Sequence, residues 1–102
     1  MYNVRMESLR FEWDSRKARS NLEKHGVSFD EAQSAFYDEY AAVYPDPDHS
    51  EEEDRFLLLG MSTKARALVV CHCFRSGETR IRIISARKAT KNESREYWKM
   101  RP

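Results

Sequence analysis

The order of signals along this chain predicts an α+β fold: two N-terminal helices, an antiparallel meander sheet of three to four strands, and a C-terminal helix. Three observations carry that prediction. Helix punctuation gathers in the first third, where Asp14 and Ser28 stand as N-caps and Gly26 follows the first helical stretch. Apolar runs with strand character occupy residues 55–86, separated by short polar turns. A Ser/Thr-x-x-Glu signature then precedes the last helical stretch, as Thr90 and Glu93.

Taken in order, Phe11-Glu12-Trp13 reads as a short strand or extended lead-in. Helix one follows over about 14–25; its apolar positions are few, Ala18 and Leu22, so most of it should be solvated. Ser28 and Glu31 repeat the capping-box spacing, and Phe29, Ala32 and Phe36 form the stripe of a more deeply packed helix over about 28–37. From Asp38 to Asp54 the chain carries Pro45, Pro47 and a run of acids, leaving Ala41–Tyr44 as a short edge strand. Residues 55–61 make a strand, Ser62–Ala65 a turn, and Arg66–Phe74 the longest and most apolar strand. Ser76–Thr79 supplies a hairpin turn with Gly77 able to take a positive φ. In the last strand, Arg80–Ala86, strict alternation sets Ile81, Ile83 and Ser85 on one face and Arg80, Arg82, Ile84 and Ala86 on the other. The final helix runs to about Met100. No repeat or linker interrupts the sequence, so residues 1–102 read as a single domain.

Composition bounds the function. Hydrophobic residues are 40% and charged residues 34% of 102, too apolar for a disordered chain. No apolar run exceeds five residues, against the roughly 18 a membrane span requires. Arg5, Glu7 and Arg10 leave no room for an apolar export signal, and a cytoplasmic location is expected. The net charge of +1 is a cancellation: residues 1–29 carry +2, residues 30–54 carry −10, and residues 55–102 carry +9. A basic surface for nucleic acid is therefore compatible with the neutral total.

Cys71 and Cys73 flank His72 on a strand, which sends both thiols to one face, roughly 7 Å apart, and the imidazole to the other. That geometry suits neither a shared metal nor a disulfide. Reduced, buried thiols are expected, with no metal and no cofactor.

Several basic residues could carry chemistry. Arg75, Arg80, Arg82, Arg87, Lys88 and Lys91 lie in or beside the last two strands. Alternating charges are ordinary on a solvated sheet, yet guanidinium forks converging on one side also match phosphate oxygens. Lys24 and His25 end helix one, where cations suit the helix dipole and where an imidazole can also exchange a proton with a reacting oxygen. His49 sits in an acidic loop that matches no metal-binding pattern. Glu93 is one of only three acids after residue 54; it is either a capping residue or a carboxylate serving Arg87. Tyr97 and Trp98 follow one helical turn later, suited to packing or to stacking on a base.

Three blocks together resemble a known family. They are Phe11-Glu-Trp-Asp-Ser-Arg-Lys-Ala18 with Asn21 and Lys24-His-Gly-Val-Ser-Phe29; Asp48-His-Ser-Glu51 with Arg55-Phe56 and Gly60; and Arg80-Ile-Arg-Ile-Ile-Ser-Ala-Arg-Lys-Ala-Thr90 with Glu93 and Tyr97. Over about residues 11–98 the chain resembles the BrnT family of bacterial type II toxins, ribonucleases paired with a BrnA-type antitoxin. Two departures stand out: Asp14-Ser15 where the family usually has Asp-Pro, and Cys73-Phe74-Arg75 where it often has Thr-Glu-Arg.

The resemblance implies a RelE-like fold and metal-independent RNA cleavage that inhibits translation. It also implies neutralisation by the antitoxin, through which alone the pair reaches operator DNA. By position it implies Lys24, His25, Arg75, Arg87 and Glu93 as catalytic residues, with Arg82 among the family's basic positions. Arg80, Arg82, Lys88 and Tyr97 complete the expected RNA-binding set. The competing expectation is a non-catalytic module acting only through its antitoxin. A metal-dependent nuclease fits poorly with acids gathered in one loop.

Overall fold

The computed structural model describes residues 9–48, 54–75 and 79–102. The N-terminal residues 1–8, His49 with the acids Glu51–Glu53, and most of the expected hairpin turn at 76–78 lie outside it. The described elements are β1 (Arg10–Glu12), α1 (Ser15–His25), α2 (Phe29–Ser34), β2 (Ala42–Pro45), β3 (Phe56–Met61), β4 (Ala67–Arg75), β5 (Arg80–Lys88) and α3 (Lys91–Met100).

Local chemistry accounts for the helices. The Asp14 carboxylate accepts from the N–H groups of Arg16 and Lys17, and Gly26 at φ 68° closes α1 in the left-handed conformation. The Ser28 hydroxyl accepts from the Glu31 N–H to start α2. The expected 28–37 helix is α-helical only to Ser34, after which Ala35–Tyr37 tightens into a 3-10 turn. That turn lies so close to β3 that a side chain at Gly60 would meet the Ala35 carbonyl at 2.9 Å. α3 carries the full capping box, with Thr90 and Glu93 each accepting the other's backbone N–H.

The sheet differs from a plain antiparallel meander. It has five strands in the order β1-β5-β4-β3-β2, and β1 joins in parallel against β5, pairing Arg10, Phe11 and Glu12 with Arg80, Ile81 and Arg82. Three residues give no local signal of which strand they will meet, so the sequence expectation stopped at four strands. Beyond the end of β1, Asn21 of α1 takes over: its side-chain amide donates to the Ala86 carbonyl at 2.8 Å and accepts from the Ala86 N–H at 3.0 Å. A buried side-chain amide here does the work of a strand partner.

A β-bulge corrects the expected alternation of β5. Cys71 pairs with Ser85 and His72 with Ile83, leaving Ile84 as the extra residue. Ala86 thereby joins Ile81 and Ile83 in the main core, while Ser85 and Arg87 pass to the face of Arg80 and Arg82.

The two faces are unequal. One is covered by α1 and α2, with Val27, Phe29, Ala32 and Phe36 packed on Leu58, Leu68, Val70, Ile81 and Ile83. His72 belongs to this side, fully buried among the rings of Phe36, Phe56 and Phe74. Its Nδ1 lies 3.1 Å from the Val70 carbonyl, and burial lowers its pKa to about 4, so the ring is neutral. The other face is covered at one end only, where Tyr97 of α3 packs on Leu59 and Val69.

Candidate active site

The uncovered part of that second face collects the charged strand residues. Strand register sets Arg10, Arg80 and Arg75 side by side across β1, β5 and β4, and Glu12, Arg82 and Cys73 in the adjoining row. Like charges directly opposite one another cost stability in a sheet, so the fold gains nothing from the row of arginines. Glu12 answers two of these cations, at 3.0 Å from Arg82 and 3.7 Å from Arg80. Cys71 and Cys73 share this face as expected, both buried as free thiols, and burial with the Asp46 carboxylate pushes Cys71 up to about 12. That value makes Cys71 an inert thiol rather than a nucleophile.

Arg87 and Glu93 form a fork on the same face. Arg87 donates through Nη1 to Glu93 Oε1 at 2.7 Å and through Nη2 to Oε2 at 3.0 Å. Both side chains retain solvent contact, at 41% and 26% exposure. The Arg87 guanidinium, helped by the Thr90 backbone N–H, pulls Glu93 down to about 2. A carboxylate this weakly basic is suited to holding the arginine in one orientation, and poorly suited to accepting a proton at neutral pH. Tyr44 of β2 stands close enough to feel both partners: burial and the Glu93 carboxylate raise its phenol, and Arg87 opposes them.

Lys24 and His25 reach the site from the other side. They are exposed at the end of α1 and line a cavity of about 190 Å³ with Ser20, Ile84 and Ser85. Ser85 precedes Arg87 by two residues on the same face, so the α1 end and the arginine face meet at the bulge.

Two expected RNA-binding residues fall elsewhere. Lys88 pairs with Leu68 and is placed by register on the helix-covered side, away from Arg80, Arg82 and Arg87. Tyr97 is 1% exposed; its hydroxyl donates to Asp38 Oδ2 at 2.6 Å and accepts from Arg101 at 3.0 Å. Its ring is core, and no face is left for a base to stack on; Trp98 beside it is 54% exposed. Sequence reasoning missed Arg10 and Tyr44. Only strand partnership brings Arg10 into the row, whereas an aromatic on a short edge strand was a signal that could have been read.

The geometry is that of an open, arginine-rich sheet floor with a lysine and a histidine at one margin. Guanidinium groups are the chemical match for phosphodiester oxygens and for negative charge developing on them.

Comparison with known proteins points the same way. Residues 13–93 match the family described as the ribonuclease toxin, BrnT, of type II toxin-antitoxin systems. Among solved structures, the fold matches the crystal structure of the Brucella abortus ribonuclease toxin BrnT with a TM-score of 0.62 at 24% identity, covering 81% of this chain and 99% of that one. A search of curated proteins finds no match.

Proposed function

Because the chain belongs to the BrnT family of ribonuclease toxins of type II toxin-antitoxin systems, we propose that the arginine face cuts RNA without a metal. In this reading the 2′-hydroxyl of the substrate attacks the adjacent phosphorus and the bond to the 5′-oxygen breaks, leaving a 2′,3′-cyclic phosphate and a free 5′-hydroxyl. One proton leaves the 2′-hydroxyl and one reaches the departing 5′-oxygen; this reading assigns their exchange to Lys24 and His25. Arg87, held by Glu93, and Arg75 neutralise charge on the phosphoryl oxygens, while Arg80 and Arg82 bind the backbone.

The observation that carries this reading is the Arg87–Glu93 fork on an otherwise open, cationic sheet face. Guanidinium groups supply there the positive charge that a pentavalent phosphorane needs. The same chemistry makes the face complementary to an acidic segment of a BrnA-type antitoxin, which would shut off cleavage by occupying it and carry the pair to operator DNA. We read the fold as RelE-like and the action as cytoplasmic, where arrest of translation follows from loss of RNA.

The test is cleavage of RNA by the purified protein in excess EDTA, with products carrying 2′,3′-cyclic phosphate ends. Expression should arrest growth, and co-expression of the antitoxin should relieve it. Intact RNA and normal growth on expression would instead identify a non-catalytic module acting through its partner.

A further inference from the structure

α1 carries an unusual stripe along the flank beside β5. Lys17, Ser20, Asn21 and Lys24 recur at the i, i+3, i+4, i+7 spacing that an amphipathic helix normally gives to apolar residues. Asn21 is explained by its bonds to Ala86. The other three, with His25, Ile84 and Ser85, enclose the cavity at the β5 bulge. No carboxylate lines it, and neither Lys17 nor Lys24 has an ion pair among the described residues. Arg66, Arg82 and Arg87, by contrast, each lie against a glutamate. The helix dipole accounts for Lys24 and His25 in the last turn, but Lys17 is in the first turn, where a cation is disfavoured. Cations converge here and hydroxyls stand between them; the Asp14 carboxylate offsets Lys17 from beyond the cavity, whose own lining is free of acids.

We propose that this cavity is a binding subsite for the RNA backbone phosphate next to the scissile one, with Lys17, Ser20 and Ser85 as its binding residues. The inference rests on the ribonuclease reading for the identity of its ligand. Ser85 and Arg87 are two residues apart on one face, about 7 Å by the rise of a strand. That separation is comparable to the step from one backbone phosphate to the next. The bulge sets this spacing, since without it Ser85 and Arg87 would lie with Ile81 and Ile83 on the opposite face. A phosphate held by Lys17 and the two hydroxyls places the neighbouring phosphodiester over the arginine floor, with Lys24 and His25 between them.

The subsite predicts that substrate recognition depends on a second phosphate. The probe is a non-cleavable 2′-O-methyl dinucleotide, compared with the same dinucleotide carrying a terminal phosphate, titrated into the full chain and followed by amide chemical shifts. The extra phosphate should tighten binding about tenfold, the scale of a hydrogen bond to a charged group. Its shifts should fall on Lys17, Ser20 and Ser85. Lys17→Ala and Ser85→Ala should each erase most of the tightening while leaving the dinucleotide without the extra phosphate bound as before.

Tightening that survives both substitutions, or shifts confined to the arginine face, would overturn the subsite. So would no binding of either probe, or a Lys17→Ala variant that loses only antitoxin affinity. Cleavage of longer RNA is scored separately: a protein that binds the extra phosphate at this cavity but cuts nothing would keep the subsite and sink the ribonuclease reading.

Discussion

Two arginine–glutamate forks flank one end of the β4–β5 ladder and begin from the same sequence signature. Glu31 and Glu93 each sit three residues after a Ser or Thr N-cap. In α3 the box closes on itself and Glu93 still reaches Arg87. In α2 only half of it forms: Ser28 accepts the Glu31 N–H, and the carboxylate turns to Arg66 and to the Ser62 hydroxyl at 2.7 Å. Arg66 also donates to the Gly26 carbonyl, so the first fork ties the end of α1, the start of α2 and the β3–β4 turn together. Glu31 is 4% exposed, and the second fork faces solvent. The same ion pair is a structural rivet where it is closed in, and where it is left open it belongs to the face proposed to cut RNA.

Substitutions should separate the two roles, and the largest effect belongs to the closed fork. Glu31→Ala leaves Arg66 facing a buried gap and should cost about 3–5 kcal/mol in urea unfolding, with cleavage per folded molecule unchanged. Arg87→Ala should do the reverse, changing stability by less than about 1 kcal/mol and slowing RNA cleavage about 10²–10³-fold. Undiminished cutting by Arg87→Ala would remove that arginine from the mechanism, and a collapsed fold would make the open fork structural after all.

A smaller effect sharpens the division of labour at the open fork. Glu93→Gln keeps a capping side chain but weakens its hold on Arg87, so cleavage should fall about tenfold through kcat, the value of one charge-assisted hydrogen bond. A general base lost at this position would instead remove the acidic limb of the pH profile, which Gln should leave in place.

The smallest effect lies in acid stability. With its pKa lowered from 4.5 to about 2, Glu93 binds protons less readily folded than unfolded. Its contribution is therefore complete above pH 4.5 and is lost as pH falls toward 2, about 1 kcal/mol after solvent screening. Glu93→Gln should flatten that limb. His72 acts in a separate window: its pKa falls from 6.5 to about 4 on burial, so the unfolded chain takes the proton first and stability declines between those values. His72→Phe should remove the higher-pH decline and leave the lower one.

Legibility from sequence followed the range of the forces involved. α1 could be read because Asp14 and Gly26 act on their own helix, and α3 because Thr90 and Glu93 cap each other. The candidate residues could be named from sequence, but only register sorts them, setting Arg75, Arg80, Arg82 and Arg87 on one face and Lys88 on the other. What could not be read was set at long range. The partner of β1, the burial of Tyr97 beside Asp38, and the turn of Glu31 toward Arg66 are decided by segments distant in sequence. The adjacent pair Ile83-Ile84 already broke the alternation of β5, and was the one visible trace of the bulge.

That extra isoleucine gives the last strand two phases, one read before it and one after. A substitution at Ile84 trims packing, but a deletion shifts the phase of everything downstream: Ala86 would turn outward, and Arg87 would be driven toward the apolar side. Drift in this strand is thus tolerant of spelling and intolerant of length. A loss of one residue would take Arg87 out of the arginine face without removing a single arginine from the chain.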